Sequence, residues 1–215
     1  MGLRALHFGV LLVLIAGWCG GAEGAVLSLP PESFPKIATA ADLGQTITAP
    51  SGPENVLDSY TFYGFAVQSD VKFESSVYKY DVSTNRVVSG ALFTSDLRTA
   101  AKGVFQGFTF DTGGVALEPG ANYLLVLQQK GWGNPTNLQL SFSTVAYDGG
   151  DYRVSDDPGR YQGTGRSWSG YAGQDLGLTA EFSAAAPVGV PTPTGLGAGS
   201  AVACGVVARR FRWRK

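Results

Sequence analysis

VFQGFTFDTGGVALEPGANYLLVLQQ, residues 104–129, decides the fold. From Val104 to Asp111 large apolar residues alternate with small or polar ones, with Phe108 and Phe110 on one face. A period of two is the mark of a half-buried strand. Gly113-Gly114 is expected to end that strand. Glu118-Pro119-Gly120 then forms a tight turn, because proline presets one corner and glycine tolerates the other. The turn feeds a second strand over 121–129. Phe108, Phe110 and Leu117 are expected in the core, with Tyr123 packed across the strand pair. These residues specify a scaffold and carry no chemistry.

The same rhythm extends in both directions. SYTFYGFAV (59–67) places Tyr60 and Phe62 on one face and Thr61 and Tyr63 on the other. KFESSVYKYDV (72–82) and RVVSGALF (86–93) read as two strands joined by a turn at 83–85. NLQLSFSTVAY (137–147) and LGLTAEF (176–182) complete a set of seven or eight. Helical character is confined to Ser95–Lys102, where one short turn of helix is expected. No internal repeat is present. Many short strands separated by frequent turns predict an all-β domain, an antiparallel β-sandwich or jelly roll.

The two ends differ from this interior. Arg4 precedes the apolar run Phe8–Ala16, and Ala22 and Gly24 stand at −3 and −1 of a cut before Ala25. That is the layout of a secretory signal peptide, residues 1–24, removed by signal peptidase. The run is shorter than the roughly 20 residues of a permanent span. A retained anchor is the competing reading. Lipid attachment at Cys19 ranks lower, because Trp18 is bulky where such signals carry a small residue. At the other end Pro191 and Pro193 stop any entering helix. Residues 194–208 are apolar and uncharged, and Arg209, Arg210, Arg212, Arg214 and Lys215 follow. Basic residues stay cytoplasmic, so the tail would halt in the membrane with the domain outside. Both ends are expected to be helical.

Between the ends, residues 25–186 carry ten Lys and Arg against sixteen Asp and Glu, a formal charge of −6 where the whole chain carries −1. A nucleic-acid partner calls for a basic face and is set aside. His7, the single histidine, lies in the signal segment, and the two cysteines, Cys19 and Cys204, lie one in each end. The interior therefore excludes Ser-His and Cys-His nucleophilic catalysis. It excludes a disulfide and a zinc or copper site built on imidazole or thiolate. Oxygen-ligand calcium binding and two-carboxylate hydrolysis are what the inventory permits.

Pro191-Thr192-Pro193, the short apolar stretch and the Arg-rich end resemble the PEP-CTERM sorting signal of Gram-negative bacteria, with Thr192 in the place usually held by Glu. The resemblance implies recognition by an exosortase-type membrane protease, cleavage near the motif after transient membrane contact, and delivery to the cell surface or extracellular matrix. A plain single-span anchor is the alternative. LGQTITAP, LDSYTFYGF, TSDLRTA, FTFDTGGVALEPGANYLLVLQQKG, Trp168 and GQDLGLTAEF, spread over residues 43–182, are similar to the β-sandwich domains common in that group. That likeness implies fold and location, and no shared activity. The expected organisation is a lead segment at 25–42, a sandwich at 43–183, a linker with the sorting motif at 184–193, an apolar segment at 194–208 and a basic end at 209–215.

YDGGDYRVSDDPGRYQGTGRSWSGYAGQD (147–175) breaks the strand rhythm and is long enough to be a functional loop. Asp148, Asp151, Asp156 and Asp157 are candidate calcium ligands. Their spacing completes no calcium loop, and the competing reading places them in turns, bonding nearby amides. Tyr152, Trp168 and Tyr171, with Trp132 from KGWGNPTN, are candidates for stacking on sugar rings. Against this, Trp168 is read first as a large amphipathic residue covering the core. No carboxylate pair stands in an apolar neighbourhood that would raise one pKa. The leading expectation is a non-enzymatic structural or adhesive protein of the bacterial envelope or matrix, needing no cofactor. A glycan-binding module that contacts exopolysaccharide comes second, and a carboxylate-dependent glycoside hydrolase third.

Overall fold

The structure, a computed structural model, describes residues 24–32, 37–38, 42–129, 137–155 and 168–185. The signal segment, Trp132, Asp156, Asp157, the Pro191–Pro193 motif, the apolar segment and the basic end lie outside those residues.

The described chain is all β. Its strands are β1 (Ala25–Leu29), β2 (Ile37–Ala38), β3 (Asp42–Thr48), β4 (Val56–Ala66), β5 (Val71–Asp81), β6 (Arg86–Thr94) and β7 (Arg98–Ala100). They continue with β8 (Gln106–Ala116), β9 (Asn122–Gln128), β10 (Leu138–Ser141), β11 (Tyr152–Ser155), β12 (Ser169–Tyr171) and β13 (Leu178–Ser183). Two antiparallel sheets form a β-sandwich. In the first, β1 pairs with β13, β13 with β4, and β4 with β8, while β10 and β2 extend the sheet from the far end of β4. The second runs β12-β11-β3-β9-β5-β6, with β7 beside the start of β5.

Alternation explains the packing. On β4, Leu57, Tyr60, Phe62 and Ala66 are buried while Thr61 and Tyr63 are only partly covered. Phe73 and Val77 of β5, Leu125 and Leu127 of β9, and Phe108 and Phe110 of β8 join them between the sheets. Phe73 meets Phe108 edge-on at 4.9 Å, so rings of the two sheets interlock. One polar chain crosses this interior. The Tyr60 hydroxyl lies 2.6 Å from Ser75 Oγ, and Ser75 Oγ lies 2.7 Å from the Val126 carbonyl oxygen. A carbonyl only accepts, so Ser75 donates to Val126 and Tyr60 donates to Ser75. Burial pushes the Tyr60 phenol far above its ordinary value, against the opposing pull of its bond to Ser75.

Several expectations need correction. Ser95–Lys102 holds no helical turn; its centre is β7. The reason is an empty lane. The β6 strand covers β5 only from Ser76 onward, and Arg98–Ala100 pairs with Val71–Phe73, whose backbone would otherwise lack partners. Gly113-Gly114 does not end β8. Both glycines have positive φ, 69° and 89°, and form a bulge at the register shift opposite Asp58, after which Val115 and Ala116 rejoin β4. The Thr112 hydroxyl pins the bulge to the carbonyls of Leu57 and Asp58. The lead segment contributes β1, paired along its whole length with β13. Tyr123 is buried as expected, but its hydroxyl also accepts the Glu118 N–H at 2.7 Å, which ties the turn to the strand it feeds.

Candidate functional site

The second sheet has covered surface on both sides. On its outer face Leu124 and Val126 are fully buried beneath Tyr78, Tyr80, Val87 and Trp168. Toward one end this cover gives way to a cleft of about 410 Å3. Thr46 and Thr48 of β3, Asn122 of β9, Arg153 of β11, the loop 146–151, and Gly173 and Asp175 line it.

The loop is held by β3. Thr46 N–H donates to the Asp151 carbonyl at 3.0 Å, and Asp151 N–H donates to Thr46 Oγ1 at 2.7 Å. Thr48 Oγ1 donates to the Gly149 carbonyl at 2.7 Å. A Cβ on Gly150 would lie 1.8 Å from the Thr46 carbonyl oxygen, so only glycine allows this approach. The Tyr147 hydroxyl accepts the Thr48 N–H at 3.2 Å and closes the loop's other end.

Asp175 is the buried anchor of the site. Its Oδ1 accepts from Gln45 Nε2 at 2.7 Å and its Oδ2 accepts from the Tyr147 N–H at 2.8 Å. Gln45 Oε1 in turn accepts the Leu176 N–H at 2.8 Å. Burial pushes the Asp175 carboxyl above the ordinary carboxylate value; the two donors hold it back, and Asp151 and Asp148 add a smaller upward push. Arg153 forms the opposite wall. It is 8% exposed, its guanidinium lies 5.5 Å over the Tyr80 ring, and Nη2 meets Asp151 Oδ2 at 3.1 Å. Its Nη1 donates at 2.9 Å to Asn85 Oδ1, from a residue in the β5–β6 turn whose φ is 54°. Arg153 Nε is buried without a hydrogen-bond acceptor.

A second cleft, of about 300 Å3, lies alongside. Glu32, Phe142, Ser143, Thr144, Val145 and Gln174 contribute to it, and it shares Ala146, Gly173 and Asp175 with the first.

The residues singled out in the sequence are distributed unevenly over this end. Asp148 and Asp151 both line the larger cleft. No group of three carboxylates able to hold a metal occurs among the described residues. Asp151 is engaged by Arg153 and, at 3.3 Å, by the Gly173 N–H. The sugar-stacking set is corrected in two members. Tyr152 and Trp168 are 4% exposed and present no face to solvent. Tyr152 points into the sandwich against Phe142, and Trp168 covers the outer cluster, with its backbone N–H donating to the Asn85 carbonyl. Tyr171, by contrast, is 48% exposed and stacks on Tyr152 at 5.4 Å. Sequence reasoning passed over Gln45, Asn122, Arg153 and Asp175. Gln45 did leave a signal, as a polar residue between Leu43 and Ile47 on an inward face.

No family model matches the chain, and no curated protein matches it in sequence. Among solved structures the chain is similar to the cysteine protease and lectin-like domains of Cwp84, a surface layer associated protein of Clostridium difficile, with a TM-score of 0.45 and 13% identity. The superposition covers 72% of this chain and 37% of that one.

Proposed function

We propose that the protein is exported and sorted to the bacterial surface or extracellular matrix, where its β-sandwich serves a structural or adhesive role without catalysing a reaction. The order of segments along the chain carries this reading. A leader with small residues at −3 and −1, a β domain, Pro191-Thr192-Pro193, an uncharged apolar stretch and five basic residues follow one another. Signal peptidase would remove the first segment, and an exosortase-type enzyme would cut near the proline motif after the tail has halted in the membrane. Intact mass of the protein recovered from producing cells and their medium tests this. A mass beginning at Ala25 and ending between Val190 and Thr194 is expected. A mass that retains Lys215 would sink the sorting proposal.

A second reading is favoured by the cleft. Exposed Tyr171 and, separately, a polar, loop-walled depression suit a glycan-binding module, in which hydroxyl-rich ligands meet carboxylate, amide and hydroxyl groups.

A further inference from the structure

We propose that the two adjoining clefts form one groove that binds a neutral polysaccharide, with Asp148 and Asn122 as its recognition residues and Arg153 as a wall that holds Asp151 in place. This rests on the glycan-binding reading and supplies its site and ligand class.

The groove's shape is the first argument. Volumes of about 410 and 300 Å3 meet at Ala146, Gly173 and Asp175, so the two clefts lie side by side. Each part has the size of a small-ligand pocket, and two in a row suit successive units of a chain.

Chemistry is the second. Asp148 is exposed at the rim, so its carboxylate is free to accept from vicinal hydroxyls. Asn122 and Thr48, joined at 3.1 Å, supply a neutral donor and acceptor on the floor. Arg153, nine-tenths buried in the wall, keeps its Nε–H without an acceptor although both Nη atoms are engaged. Its charge, held in place by Asn85 and Asp151, offsets part of the acidity of the wall.

Charge then selects the ligand. Asp148, Asp151 and Asp175 outnumber the single guanidinium, which repels uronic-acid and sulfated polymers. A bare divalent cation is disfavoured too, because Asp151 is committed to Arg153 and Asp175 to two N–H donors.

Affinity electrophoresis of the full chain in native gels tests the proposal. Gels cast with hydroxyethylcellulose, dextran or galactomannan provide the neutral polymers, and alginate provides the anionic one. Retardation by at least one neutral polymer, unchanged by EDTA, is expected. Asp148→Ala should weaken that binding at least about tenfold, the loss expected for one charge-assisted hydrogen bond, and leave the Tm unchanged. Asn122→Ala should weaken it less. Binding that survives both variants but is lost in Tyr171→Ala overturns the groove as the site and leaves the glycan-binding reading standing. Retardation by alginate alone overturns the neutral-ligand assignment, and loss with EDTA overturns direct recognition by the carboxylates. Failure of every polymer to retard the protein overturns the groove and the glycan-binding reading together.

Discussion

The polar chain through the sandwich interior sets up a specific non-additivity. Tyr60→Phe removes the phenol donor and leaves Ser75 still bonded to the Val126 carbonyl, so the cost is that of one buried hydrogen bond, about 1 kcal/mol. Ser75→Ala removes the middle of the chain. The phenol loses its acceptor at a site with 0% exposure, and the expected cost rises to about 2.5 kcal/mol because a desolvated donor is left unmet. In the double variant the orphaned phenol is absent. Its cost should therefore be about 2 kcal/mol, well short of the roughly 3.5 obtained by adding the single variants. Urea unfolding of the four proteins, with the m value checked for constancy, measures each term. The same buried phenol has an alkaline signature. Its folded pKa lies above the ordinary 10.0, so its contribution is complete below pH 10 and is lost as pH rises beyond that value. Tyr60→Phe should flatten that limb. Single-variant losses that add to within about 0.5 kcal/mol would refute the donor order assigned here.

Two further outcomes follow from the candidate site. Gly150→Ala places a methyl group 1.8 Å from the Thr46 carbonyl oxygen, so the loop must lift from β3; a loss of at least about 2 kcal/mol in urea unfolding is expected, and a neutral result would refute the close approach. Asp175 has a raised folded pKa, so its ionised form opposes folding. Stability from this group is complete below the ordinary value of 3.8 and is lost as pH rises through the folded value. Asp175→Asn should remove that part of the pH dependence, which sets in as pH rises above 3.8. It should also cost about 1–3 kcal/mol at neutral pH, because an amide cannot accept from both Gln45 and Tyr147. Identical pH slopes in the two proteins would contradict the assignment.

What could be read in the sequence follows the contrast between sheet faces. Strands β4, β5 and β8 announce themselves because aromatic and branched residues alternate with polar ones, and the structure buries one face of each more deeply than the other; β9, buried on both faces, was legible as an apolar run fed by the turn at 118–120. Strands β3 and β11 gave no such contrast. Every residue of β11 and all but the last of β3 are buried, since the outer face of their sheet is itself covered. Runs of three residues, as in β7 and β12, are too short to show any period. At the site, Asp148 and Asp151 were legible as acids in a glycine-rich loop. Arg153 was hidden because its partner Asn85 lies 68 positions away, and Asp175 because Gln45 lies 130 positions away. Tyr152 was misleading for a related reason, whereas Trp168 covers the sheet as its size and amphipathic character led one to expect. An aromatic ring in an irregular loop reads as exposed until the sheet surface it covers is known.

The position of β13 bears on when the domain can form. It is the last strand described, yet it lies between β1, the first, and β4, and bonds to both. Until residues 178–183 arrive, β1 has no neighbour in its sheet and one flank of β4 stands open. A chain emerging N-terminus first, from a ribosome or through a translocation pore, therefore cannot complete its first sheet early. Long-range pairing of this kind is slow to form. Here the first sheet stays incomplete until nearly the whole domain is available to pair.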